Sequence, residues 1–269
     1  MFEYAFMQRA FLAGIIIGVA IPCVGVVVVF KRLSMMGDAL SHASLAGVAA
    51  GLIGGIDPVL GATIACLGAA GAVEAARRRF EGHAELAIAV VMSCGIGLAG
   101  VLSGFVPNAA SFSSFLFGSI VAVSDDELAA VAAVGTGVLV LCILLRKELF
   151  LVTLDERAAR VSGVNVRLVN AIFVLMTAFA VSVGARTVGA LIVSSMMVVP
   201  VACALQFARG WRQTVIASCA VGLLITALGL AVSYAFGLKP GGTIVLLGIA
   251  LLLLLIALRG IARKLHRRS

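Results

Sequence analysis

An acid and an imidazole stand four residues apart in Gly37-Asp38-Ala39-Leu40-Ser41-His42-Ala43, inside a stretch that is otherwise apolar. On a helix, positions i and i+4 share a face, with Cβ atoms about 6 Å apart. A hard carboxylate oxygen and a borderline imidazole nitrogen at that spacing can hold one divalent cation between them. The chain has three histidines: His83 follows the basic run Arg77 to Arg79, and His266 sits in a basic tail, so His42 alone falls in apolar surroundings. If Lys31-Arg32 marks an interface, a rise of about 1.5 Å per residue places His42 on the order of 15 Å inside. The competing reading of Asp38 and His42 is an ion pair that packs helices together. Such a pair is costly in hydrocarbon and replaceable by apolar packing, which favours function.

Two ligands do not complete a site. Met92 and Cys94 are further candidates, although both residue types on apolar helices also serve simply as core. Ser41, Ser44 and Ser119 carry oxygen donors that alternatively bond backbone carbonyls within their own helices. Catalytic readings fall away: the sequence contains no G-x-x-x-x-G-K-[ST], no H-E-x-x-H and no Cys-x-x-Cys pair. Gly118-Ser119 with His42 only weakly imitates an intramembrane serine protease. The residues favour passage of an ion over turnover of a substrate.

The elements that position these residues follow from composition. Hydrophobic residues make up 62% of the 269 and charged ones 12%, with mean hydropathy +1.21. A soluble domain carries roughly twice that charge fraction. The chain reads as one polytopic membrane domain, all-α, with no room for a sizeable soluble part. All six cysteines lie in apolar runs, which argues against a disulfide framework and for small buried side chains. The net charge of +8 is explained by loops beside spans rather than by nucleic acid.

About 20 apolar residues cross a bilayer as a helix. About nine segments (eight at the least) meet that length or nearly so: 10–30, 36–54, 58–76, 85–104, 127–145, 168–186, 188–207, 213–236 and 243–258. The first, ending in Lys31-Arg32, does not read as a cleaved signal. With nine crossings, nearly every basic residue falls on one side, so the N-terminus is expected outside and the C-terminus in the cytoplasm. Arg9, Arg186 and Lys239 are the exceptions. The short, Ser-rich stretch 108–123 reads as a re-entrant or interfacial helix, tolerable at depth only when packed on protein. Asp125, Asp126 and Glu127 either attract cations at the mouth or stabilise a helix N-terminus through its dipole, and the second is preferred. In the cytoplasmic loop 146–167, Asp155-Glu156 and Gly163 bracket a short capped helix, either a surface connector or a docking element for a partner. Small residues recur at helical spacing at Gly14 and Gly18, Ala46 and Ala50, Gly61 and Ala65, and Gly222, Thr226 and Gly229, the pattern of close helix contacts. No internal repeat is evident.

The stretch from Lys31 to Ser44 resembles the R-x-S-x-x-G-D-x-L-x-H-A-S signature of the ABC-3 family, the permeases of bacterial zinc and manganese ABC importers. Ser114 to Ser119 looks like that family's x-L-F-G element, and Asp155-Glu156-x-x-Ala159-x-x-x-Gly163-Val164 resembles its cytoplasmic loop. Val188-Gly189 to Pro200 and Leu238-Lys239-Pro240-Gly241-Gly242-Thr243 are similar to two later elements. Together they span residues 10 to 258. The resemblance implies a fold like the cobalamin and siderophore importer permeases and a homodimer in the bacterial inner membrane. It also implies two separate cytoplasmic ATPase subunits and an extracytoplasmic metal-binding protein that delivers the ion. It puts metal on Asp38 and His42, coupling to the ATPase on Asp155, Glu156, Ala159 and Gly163, and the translocation path at Ser41, Ser119, Ser195 and Pro200. No permanently bound cofactor is implied. The expected cargo is zinc first, then manganese or iron(II). Some zinc members have a histidine where this chain has Met92, and an acid where it has Ser119.

Overall fold

The computed structural model describes residues 5–80, 83–118 and 124–266. Those residues contain helices and no strand: α1 (Ala5–Phe30), α2 (Met36–Gly54), α3 (Pro58–Arg79), α4 (Ala84–Ser103), α5 (Ala109–Phe117), α6 (Asp125–Leu144), α7 (Arg146–Leu154), α8 (Glu156–Val161), α9 (Val166–Gly184), α10 (Ala190–Ala204), α11 (Trp211–Phe236) and α12 (Pro240–His266). A π-helical turn, Ala185–Gly189, joins α9 to α10.

Among the described residues seven runs are long and apolar enough to cross a membrane: α1, most of α3, α4, α6, the stretch Val166–Ala204, α11 and most of α12. The nine segments expected from sequence map onto these with two differences. α2 falls short in hydropathy because Asp38, Ser41, His42 and Ser44 lie within its 19 residues. α9 and α10 form one continuous 39-residue run. That run is not straight. Gly189 breaks it at φ 105° and ψ 135°, a left-handed conformation that glycine adopts without a Cβ penalty.

α1 is the hub. It packs against α6, α9, α10 and α11, and small residues let them in. A Cβ on Gly18 would lie 2.8 Å from Thr226 Oγ1, and one on Gly14 would lie 2.7 Å from Leu230 Cδ1. Pro22 lies within α1 and cannot donate to the Gly18 carbonyl, and at that point Gly222 of α11 packs against both residues. A Cβ on Gly25 would strike the Met197 backbone of α10. With no water to expel between helices in lipid, this close van der Waals contact is what holds them. The paired glycines Gly47 and Gly61 bring α2 and α3 together in the same way.

The two ends of the bundle differ in charge. One end gathers Lys31, Arg32, Arg77, Arg79, Arg146, Lys147, Arg157, Arg160, Arg167, Arg209, Arg212 and Arg259, and its tryptophan, Trp211, stacks against Phe30 and Phe150 with centroids 5.5 Å apart in each pair. The other end holds the three exceptional cations, and each has a partner. Arg9 Nε lies 2.6 Å from Asp125 and Arg186 Nε 2.7 Å from Glu127. The Lys239 ammonium sits 4.2 Å from the centroid of the Phe117 ring.

Candidate metal site and its coupling helix

Asp38 lies in the first turn of α2, where the helix dipole favours a carboxylate, and His42 follows one turn later on the same face. Both are half-buried, and Ser41 between them is 1% exposed. Among the described residues Asp38 and His42 make no hydrogen bond or ion pair, with each other or with anything else. The helix-packing ion pair is therefore not what the structure shows. The Ser41 hydroxyl is also buried without a protein partner. Three donors at i, i+3 and i+4 thus share one face of α2 and are not consumed by internal bonding.

Two helices close on this face. On one side α4 approaches through Gly95, whose Cβ would lie 2.9 Å from Ala43 N and 3.3 Å from His42 Cβ. On the other, α10 approaches Gly37, whose Cβ would lie 3.1 Å from Met197 Sδ and 3.2 Å from Ser194 Cβ. Met92 stands one turn from Gly95, half-buried against the main core, whereas Cys94 is exposed. On α10 the serine against α2 is Ser194, 6% exposed, and the expected Ser195 is half-buried beside it. Pro200 is buried within α10. Ser119 lies outside the described residues. Among the described residues no group of three or more His, Cys, Asp and Glu side chains is placed to hold a metal.

The short helix expected in the 146–167 loop is α8. Asp155 caps it, its Oδ1 accepting from Arg157 N at 2.7 Å and Ala158 N at 3.2 Å. Ala159 is fully buried. Gly163 ends the turn at φ 83°, and Val164 N donates to Ala159 O at 3.0 Å, a left-handed helix stop. Glu156 binds α8 to the hub: its Oε1 accepts from Lys31 Nζ at 3.1 Å and from Asn170 Nδ2 at 3.1 Å. Lys31 also donates to Asn170 Oδ1 at 2.6 Å, and its ammonium lies 5.9 Å from the centroid of the Phe173 ring. Burial lowers the Lys31 ammonium below the usual lysine range against the opposing pull of Glu156. For Glu156 burial alone would raise the carboxyl, but the Asn170 hydrogen bond and the Lys31 charge together hold it below the ordinary carboxylate value.

At the opposite end the acids of α6 serve the helix. Ser124 and Glu127 form a reciprocal capping box, Asp125 is tied to Arg9, and Glu127 reaches Arg186. Arg186 in turn stacks 4.4 Å from the centroid of Phe115 on α5. Gly118, at φ 75°, has its Cα side against the carbonyl of Val188, and Gly241 packs on the same peptide. Residues from three separated sequence motifs therefore meet at one point. Sequence reasoning missed Gly95, Asn170 and the partners of Lys31 and Arg186. For Arg186 the available signal was a lone cation in an apolar run, whereas Lys31, beside Arg32, carried no such mark.

Comparison with known proteins gives the family. Residues 3–259 match the model of the ABC 3 transport family. The chain is 36% identical over 265 residues, covering 98% of it and 99% of its relative, to the "Probable metal transport system membrane protein" of Treponema pallidum. It is 29% identical to the manganese import system permease protein ScaB of Streptococcus parasanguinis, over 91% of this chain and 87% of the relative. In the solved structure of PsaBC from Streptococcus pneumoniae in complex with Fab, one chain superposes with a TM-score of 0.84 at 28% identity, over 94% of this chain and 91% of that one. Matched by the family model over nearly its whole length, the chain belongs to the ABC 3 transport family.

Proposed function

We propose that this chain is the membrane-spanning subunit of an ATP-driven importer of divalent metal, and that manganese is the first cargo to test. One observation carries the reading: Asp38, Ser41 and His42 share one face of α2, internally unbonded, between α4 and α10. The cargo passes this face, with Asp38 supplying the charge and His42 the nitrogen. The zinc-first expectation rested on the imidazole. The carboxylate and hydroxyl on the same face suit manganese equally, and several similar relatives are named for manganese import or transport. Zinc and iron(II) stay as competitors in the same assay.

Nine crossings, with α2, α9 and α10 each spanning, make the basic end cytoplasmic by the positive-inside rule. α5 then lies as a re-entrant helix at the outer face, supported by Phe115 buried to 3% exposure. A second copy supplies the remaining ligands across a shared axis. Two ATPase subunits dock on α8, and the metal-binding protein docks on the outer loops. ATP closure moves α8, and Glu156 passes the displacement to Lys31 at the end of α1. The test is accumulation of radiolabelled manganese, zinc and iron(II) in a strain lacking its own importer. Asp38→Asn and His42→Ala are each expected to lower uptake to background while assembly with the ATPase is retained. Wild-type uptake by both variants overturns the site.

A further inference from the structure

A cavity that no part of the transport reading uses lies at the basic end, on the outside of the bundle. Its volume is about 480 Å³, within the range of about 300–1,000 Å³ of small-molecule sites. The walls are apolar: Val27 of α1, Ile143 of α6, Val215 of α11 and the rings of Phe150 and Trp211. The two rings meet edge to face at 62°. The rim is cationic, with Arg146 and Lys147 from α7 facing Arg212 from α11. Among the described residues none of the three is in an ion pair. Beside the groove the surface continues apolar, with Ile143 65%, Leu144 69% and Ile216 70% exposed. For a chain embedded in a membrane that surface meets acyl chains.

We infer that this groove binds one anionic phospholipid, its phosphate held by Arg146, Lys147 and Arg212 and one acyl chain laid along Val27, Ile143 and Val215. Charge complementarity and continuity select this occupant. A soluble partner docking on α7 and α8 offers acids to the rim but nothing to fill an apolar groove that opens sideways into lipid. A zwitterionic lipid fills the groove but brings its own ammonium, and so no net negative charge, to a rim of three cations. The anionic lipid satisfies both, in the manner of basic interhelical pockets at a membrane face. The occupant wedges α11 against α7, and α7 leads directly into α8, so lipid charge reaches the coupling helix. The inference rests on the membrane location of the family and is independent of which metal is carried.

The full chain, purified in detergent, is titrated with phosphatidylglycerol or phosphatidylcholine and read by native mass spectrometry. Each cation near an anionic headgroup is worth about a fivefold change in affinity. The triple variant Arg146→Gln, Lys147→Gln, Arg212→Gln therefore weakens phosphatidylglycerol binding by on the order of 100-fold. Val215→Trp, which fills the groove and keeps every charge, is expected to lose the same lipid. Arg79→Gln, Arg157→Gln, Arg160→Gln, which removes equal charge from the same end, is expected to keep it. Undiminished binding by the first triple variant overturns the proposal, as does equal loss in the second, which would mean diffuse surface attraction. Equal retention of phosphatidylcholine by the wild type also overturns it, and so does release of bound phosphatidylglycerol when the ATPase subunit is added.

Discussion

α1 and α12 are nearly the same length, 26 and 27 residues, and their most apolar windows have the same mean hydropathy, 2.8. Yet 72% of the window in α1 is buried inside the protein and 11% of that in α12. Hydropathy registers transfer out of water, and both helices satisfy it equally. What separates them is shape. α1 is cut with Gly14, Gly18, Pro22 and Gly25, each of which admits a neighbour, while α12 turns Leu253 and Leu254 outward. In a membrane the hub helix is recognised by its small residues rather than by its hydrophobicity.

The difference can be broken most forcefully at Gly25. Its Cβ would meet the Met197 backbone, which cannot swing aside, so Gly25→Leu is expected to cost roughly 4 kcal/mol or more and to leave no folded protein in detergent. Leu253→Ala on α12, at a side chain 61% exposed, is expected to stay within about 0.5 kcal/mol. Size-exclusion profiles and thermal unfolding midpoints check both. Equal tolerance would mean that burial in the bundle does not distinguish the helices.

The same contrast holds at the helix ends. The Lys31 side chain is 7% exposed, so Glu156→Ala strands a buried ammonium and is expected to destabilise the protein by roughly 1–2 kcal/mol, a figure discounted because the Glu156 side chain is 38% exposed. ATPase stimulation should fall with it. Lys31→Met leaves a carboxylate that can hydrate, and should cost less. Arg259, which reaches the Leu205 carbonyl and Gln206 from an exposed position on α12, is expected to tolerate alanine within about 0.5 kcal/mol.

Acidity gives the smallest and most diagnostic effect. Glu156 is held below the ordinary carboxylate value, so its stabilisation is complete at neutral pH and disappears as pH falls through that lowered value. Lys31 is also shifted down. Its loss of a proton at alkaline pH relieves a burial penalty, so the destabilisation is confined to the acid side. Unfolding midpoints of wild type and Glu156→Ala should therefore converge on acidification. A constant gap between them would show that the pair is not what acid breaks.

Much of this was readable before any coordinates. Asp38 and His42 stand out because polar residues in an apolar run need a reason, and Asp155 and Gly163 announce a helix start and stop through their own local chemistry. The spacing of Gly14, Gly18, Gly222 and Thr226 marks an interface, although not which helices form it. What stayed hidden depends on residues far apart in the chain. Lys31 and Arg32 look alike as interface markers, yet Arg32 is exposed while Lys31 turns inward to a carboxylate 125 positions later. Gly95 is one glycine among 30 until α4 is laid on α2. The convergence of Gly118, Val188 and Gly241 is a property of the fold alone.

The exposure of Cys94 has a practical consequence. Every other cysteine is buried or half-buried, so a fluorescent thiol reagent apolar enough to enter the bilayer is expected to mark this mid-span position first, with no residue replaced. Its neighbour Gly95 touches His42 through the backbone, which puts the dye one peptide unit from the helix contact that an arriving cation would disturb. The wild-type chain carries its own reporter, and cargo entry becomes a change in emission that can be followed in real time.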